Sequence, residues 1–340
     1  MFDDALLDDP QALESAGVIL RRLAEAGARV RRETADARGP VEALINSPRP
    51  RAVIAAGPEA RFIRAILEPV CPVPFVAWPA QGLPGWVGAL DLVIVLASDQ
   101  APVALMATVH EAVRRGCQLL ITAPDASVIA EHAGSRSTTL LPTATRDPLA
   151  AAIVVLDTLH QLQLGPRVHP DSVADAMDRV AQECSPYADV SINPAKDLCM
   201  GLADAQPLIW GGSVLAARAS RRLAEAIRAA SGRAALAADA DELLPVLEAA
   251  EARDPFADPF EDAGPADRRP VLVLLDDGNN DGVIRSDHSR LRAAAERNDI
   301  RICPVGHRQG TDVERYATLL QTGMFAAVYL SIGLGRVHEG

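Results

Sequence analysis

Short, strongly apolar runs separated by stretches of helical periodicity constrain this chain more than any other feature. Leu90–Ala97 (LDLVIVLA), Cys117–Thr122 (CQLLIT) and Val271–Asp276 (VLVLLD) read as buried strands. Between such runs, in Val103–Arg115, Leu149–Leu164 and Asp312–Thr322, the apolar residues recur at three- and four-residue spacing, which predicts helices. Strands that alternate with helices and lack hairpin signals imply βαβ units, hence an α/β fold with a parallel sheet covered on both faces.

The pattern runs through the chain twice. Further strands are expected at Arg51–Gly57, Val73–Trp78 and Thr138–Leu141, then at Pro207–Trp210, Arg233–Ala238 and Ile300–Val305. Further helices are expected over Pro10–Thr34, Glu59–Leu67, Ser127–Ala133, Asp171–Cys184, Asn193–Leu202, Asp241–Ala252, Asp287–Arg297 and Phe325–Leu334. Gly165-Pro166 breaks the first series, so the expected division is a domain over 1–165, a helical linker over 166–192 and a domain over 193–340. A length of 340 residues suits two domains, and an apolar content of 49% suffices for sizeable cores.

Charge and motif content exclude several classes of function. A net charge of −12 leaves no basic stripe for nucleic acid. No apolar run approaches a membrane span, and the acidic start MFDDALLDDP is unlike a signal peptide, so a cytoplasmic protein is expected. The five scattered cysteines read as reduced thiols, and no His, Cys, Asp or Glu set has metal-ligand spacing. There is no GxSxG, no Walker A and no GxGxxG after a strand, so neither metal nor cofactor is expected.

Gln206–Ala230 carries the main candidate site: a strand, the turn Gly211-Gly212-Ser213 and a helix bearing Arg218. Glycines admit a close approach of the backbone, and free N–H groups at a helix start favour an anion, usually phosphate. The plainer reading is an ordinary strand-to-helix connection. Other strand ends that could hold a ligand are Ala55–Pro58, Ala97–Pro102 with Ser98, Thr122–Ser127, and the polar DDGNNDG stretch Asp276–Gly282, which suits sugar hydroxyls, a cation or a solvated turn. Among the histidines only His307 has the position of a site residue, directly after a strand. Asp254–Ala266 is acidic and interrupted by prolines, and reads as a surface loop.

LPGWVG (Leu83–Gly88), NPAKDLCMGLAD (Asn193–Asp204), PLIWGGSVLAARASRR (Pro207–Arg222) and GMFAAVYLSIGLG (Gly323–Gly335), in that order, resemble the bacterial and archaeal bifunctional phosphoglucose/phosphomannose isomerases, and most closely a divergent, TobH-like branch. The resemblance implies two flavodoxin-like sugar isomerase (SIS) domains, a homodimer, and a hexose phosphate bound by Gly211, Gly212, Ser213, Arg218 and Ser98. The family's isomerisation uses a Glu base, a ring-opening His and a C-terminal Lys. This chain departs from each. The hydroxyl-rich phosphate loop corresponds to Ala97-Ser98-Asp99-Gln100-Ala101-Pro102, and an early Gly-Gly-Ser turn to Ala55-Ala56-Gly57-Pro58. Where the base would lie stands Arg228-Ala229-Ala230-Ser231, no His occurs between His169 and His288, and the last lysine is Lys196. Three readings follow: a catalytically degenerate SIS protein that binds a sugar phosphate or a partner enzyme of carbohydrate metabolism, an active phosphoglucose/phosphomannose isomerase with rearranged residues, and a scaffold without ligand.

Overall fold

In a computed structural model of the chain, which describes residues 2–97, 101–250 and 269–337, every apolar run expected to be a strand is one. A 3-10 turn Asp4–Leu7 leads into α1 (Pro10–Ser15), α2 (Gly17–Ala24) and α3 (Ala26–Glu42). Then come β1 (Val53–Ala56), α4 (Ala60–Leu67), β2 (Phe75–Ala77), β3 (Leu92–Leu96), α5 (Val103–Arg114), β4 (Gln118–Ala123), α6 (Val128–His132), β5 (Thr138–Pro142) and α7 (Pro148–Gln161). After α8 (Pro170–Glu183) and α9 (Pro194–Leu202) the pattern resumes with β6 (Gln206–Gly211), α10 (Val214–Ser231), β7 (Leu236–Ala237) and α11 (Ala240–Glu248). It closes with β8 (Pro270–Asp276), α12 (Gly282–Arg297), β9 (Ile302–Gly306) and α13 (Asp312–Gly333).

The strands form a five-stranded sheet, β2-β1-β3-β4-β5, and a four-stranded sheet, β7-β6-β8-β9, parallel throughout. Neither sheet has a wet face. In the first, Val93, Val95, Leu119 and Ile121 pack against Leu105 and Val109 of α5 and Ile129 of α6, while α3, α4 and α7 cover the opposite side. In the second, Leu208, Trp210, Leu272 and Leu274 pack against Leu243 and Leu247 of α11 and Leu291 and Ala294 of α12. Its other face carries α9 and α10, over which α13 packs. Fully burying each such aliphatic side chain contributes about 1.5–3 kcal/mol, so the two covered sheets dominate the stability.

Several expectations are corrected. The helix expected over Pro10–Thr34 is three helices, interrupted at Ala16 and Glu25, whose near-bridge dihedrals end one helix without breaking the apolar phase. The last two expected helices are one, α13, because Gly323 does not break it. A Cβ there would stand 2.9 Å from Leu223 Cδ1 of α10, so this glycine lets two helices approach closely. Helix α12 starts at Gly282, five residues earlier than expected, because Asp281 caps it by accepting from Val283 N–H at 2.8 Å.

The chain divides into two compact units, Ala26–Asp175 and Met1–Glu25 with Ala176–Gly340. The first 25 residues therefore pack with the second sheet, not with the first as the division at residue 165 has it. Asp3 N–H donates to Gly333 O at 2.8 Å, Gln321 Nε2 donates to Leu23 O at 3.0 Å, and Leu7 is fully buried. Among the described residues no helix is long and apolar enough to cross a membrane.

Candidate functional site

Parallel α/β sheets place ligands beyond the carboxyl ends of their strands. At that edge of the second sheet, β6 ends in Trp210-Gly211 and β8 in Leu275-Asp276. The indole of Trp210 lies on the α12 side, and the His288 ring stands 6.1 Å from it, tilted by 50°. Together with Gly212, Asp276, Asp277, Asn279, Asn280, Ile284, Arg285, Ser289 and Arg308, these rings line a cavity of about 270 Å³.

The two carboxylates that line it are both engaged. Asp276 accepts from Arg308 Nη2 at 2.6 Å and from Gly278 N–H at 2.8 Å. Burial pushes this carboxyl up, but the guanidinium and the N–H outweigh it and hold it below the usual carboxylate range. Gly278 has φ +77°, and a Cβ there would meet Arg308 at 3.0 Å, so the turn after β8 needs a glycine. Asp277 Oδ2 accepts a short hydrogen bond from the Ser213 hydroxyl.

The Gly-Gly-Ser turn forms the adjoining wall. A Cβ on Gly211 would stand 2.2 Å from the backbone of Ala216, and one on Gly212 would stand 2.5 Å from Ile284 and 2.7 Å from Trp210. Both glycines thus allow helix and strand to pack closely. Ser213 is the N-cap of α10, its Oγ accepting from Ala216 N–H at 3.0 Å. Gly211, Gly212 and Ser213 are brought together; Arg218, five residues further along α10, is half-buried and not among the residues lining the cavity. Ser98 and the acidic stretch 254–266 lie outside the described residues.

Trp210, His288, Arg285 and Arg308 were not singled out by motif. The usable signal was the position of Asp276 at the end of a core strand, joined to helical spacing. Once α12 starts at Gly282, residues 284, 285, 288 and 289 share one face. His307 is close by in the chain fold: its N–H donates to Asp276 O at 2.9 Å, and burial together with Arg179 holds its imidazole below the ordinary value. It does not line the cavity.

Other reactive groups are placed elsewhere. Lys196 is fully buried, its Nζ donating to Asp8 Oδ1 at 2.7 Å and to the carbonyls of Pro186 and Ala188 at 3.0 and 3.1 Å. Glu225 is exposed and pairs with Arg222 at 2.8 Å. Burial pushes the Cys184 thiol up to about 12, away from thiolate chemistry. Among the described residues no group of three or more His, Cys, Asp or Glu is arranged to hold a metal ion.

The corresponding edge of the first sheet is tighter. Gly57, at φ +118°, lies so close to β3 that a Cβ would stand 2.3 Å from Leu96 O. Beside it a cavity of about 50 Å³ is lined by Pro58, Thr122, Thr143 and Arg146, among others. Among the described residues the buried hydroxyls of Thr122 and Thr143 there have no hydrogen-bond partner.

This architecture is the SIS fold. Solved structures with the fold include tagatose-6-phosphate ketose/aldose isomerase from Escherichia coli, at 13% identity and TM-score 0.66, covering 95% of this chain and 94% of that one. The C-terminal domain of glucosamine-fructose-6-phosphate aminotransferase from Francisella tularensis matches at 12% identity and TM-score 0.63, covering 93% and 96%. A glucose-6-phosphate isomerase like protein from Thermus thermophilus matches at 16% identity and TM-score 0.53, covering 90% and 93%. More particularly, residues 191–336 match the family model of the bacterial phospho-glucose isomerase C-terminal SIS domain. No curated protein sequence matches the chain.

Proposed function

We propose that this protein is a catalytically degenerate relative of the bacterial phosphoglucose/phosphomannose isomerases, a cytoplasmic dimer that binds a hexose phosphate. It acts as a sensor or as the partner of a working sugar-phosphate enzyme in carbohydrate metabolism. The observation that carries this reading is the cavity beside Gly212. It combines an indole surface for the apolar face of a sugar ring with carboxylate, amide and guanidinium groups for hydroxyls and a phosphate. Aldose–ketose isomerisation needs a free base to carry a proton between adjacent carbons, and losing such a base costs about 10²–10⁴ in rate. Asp276 is tied to Arg308 and Asp277 to Ser213, and the chain's single lysine is sealed away.

A second reading, an active isomerase with rearranged residues, is favoured by one observation. His288 lies in the same cavity as Asp276. Two measurements decide. Calorimetry with glucose 6-phosphate, mannose 6-phosphate and fructose 6-phosphate is expected to show binding, and a coupled assay to show turnover well below about 1 s⁻¹, the low end of ordinary enzymes. Turnover above that value supports the active isomerase. Absence of binding to all three overturns both readings in favour of a scaffold without ligand.

A further inference from the structure

The start of α10, where a Gly-Gly-Ser turn suggests a phosphate cradle, is already filled by the protein itself. Asp277 brings a carboxylate to the capping hydroxyl of Ser213, and the space a ligand would take beside Gly211 holds the backbone of Ala216. A second anion at that helix start meets like charge instead of open N–H groups.

Across the same cavity the balance is reversed. Arg308 is matched by Asp276 at 2.6 Å. Arg285, in the first turn of α12, lines the cavity too, is exposed, and its guanidinium has no hydrogen-bond or ion-pair partner among the described residues. Arg285 and His288 are three residues apart on one helix face, so a ligand resting on Trp210 and His288 has this uncompensated guanidinium at its edge. Guanidinium groups bind phosphate in bidentate fashion, which fixes orientation as well as adding affinity.

Resting on the reading that the chain binds a hexose phosphate, we infer that Arg285, and not the Gly-Gly-Ser turn or Arg218, holds the phosphate. The sugar ring lies against Trp210. The ligand is thus a phosphomonoester of a sugar, read at both ends of the cavity.

Calorimetry on the full chain tests this with glucose 6-phosphate, glucose and inorganic phosphate as separate titrants. Glucose 6-phosphate is expected to bind more tightly than either of the others, and Arg285→Ala to weaken it by about tenfold or more, since charge-assisted bonds are the strong ones. Arg218→Ala is expected to leave it unchanged. Arg285→Lys, which keeps charge but loses the fork, falls between. If hexose phosphate binds the wild type while Arg285→Ala binds equally well, or if Arg218→Ala abolishes binding, the assignment of Arg285 is overturned and the phosphosugar reading stands. If inorganic phosphate binds as tightly as glucose 6-phosphate, the role of Trp210 is overturned. If the wild type binds no hexose phosphate, the reading itself fails.

Discussion

Glu33 of α3 is a charged residue type in a place without solvent. Its side chain is fully buried, Oε1 accepts from Thr145 N–H at 3.1 Å and from the Thr145 hydroxyl, and Oε2 has no partner among the described residues. Burial raises its pKa from 4.5 to about 7, against the two Thr145 hydrogen bonds; Asp147 adds to the rise and Arg29 opposes it. A carboxyl that holds its proton more tightly when folded contributes most below the unfolded value. Its contribution falls as pH rises from about 4.5 to about 7 and stays constant above. Glu33→Gln keeps the acceptor facing Thr145 and carries no charge. It is expected to flatten this slope and to stabilise the protein at pH 8 by up to about 3 kcal/mol, one pKa unit being worth roughly 1.4 kcal/mol. Denaturant midpoints at pH 5, 6.5 and 8 check this, and an unchanged slope in the variant sinks it. Nothing local in RRETAD marks Glu33 as buried, because only the fold brings Thr145 onto it.

At the scale of elements, the same distinction separates what was legible in the chain from what was not. β3, β4 and β8 announce themselves because a strand covered on both faces must be apolar at nearly every position, and no neighbour is needed to see that. The Gly-Gly-Ser turn was visible too, but its meaning depended on Ala216, Ile284 and Asp277, which lie from a few to some seventy residues away. Trp210 and His288 meet only because β6 and α12 pack. Gly323 was misleading in the other direction. Read locally it divides two helices, whereas it lies inside α13 against Leu223 of α10. Gly323→Val is therefore expected to destabilise by about 1–3 kcal/mol through overpacking against Leu223, although valine is no worse a helix former than glycine. Chemical denaturation measures it. A variant at least as stable as the wild type shows that the α10–α13 contact has room to spare.

For the whole molecule the open question is which residues make up each folding unit. The first 25 residues approach the second sheet's unit through Asp3 on Gly333, Asp8 on the buried ammonium of Lys196, and Leu7 beneath α13. Each contact spans most of the chain, so no local pattern could reveal it, and the break after residue 165 was the only boundary on view. The grouping has a thermodynamic consequence. Deleting buried methyl groups typically costs about 2–5 kcal/mol for Leu→Ala, and the loss falls on the unit that contains the cavity. Leu7→Ala is expected to reduce amide protection along β6, β8 and β9 while leaving β1, β3 and β4 unchanged, as read by native-state hydrogen exchange. Asp8→Ala, which leaves the Lys196 ammonium with the carbonyls of Pro186 and Ala188 and the Tyr329 ring, is expected to act on the same strands by a smaller amount, about 1 kcal/mol, because Asp8 is exposed. Loss of protection in β1, β3 and β4 instead would assign the N-terminal segment to the first sheet and restore the simpler division at residue 165.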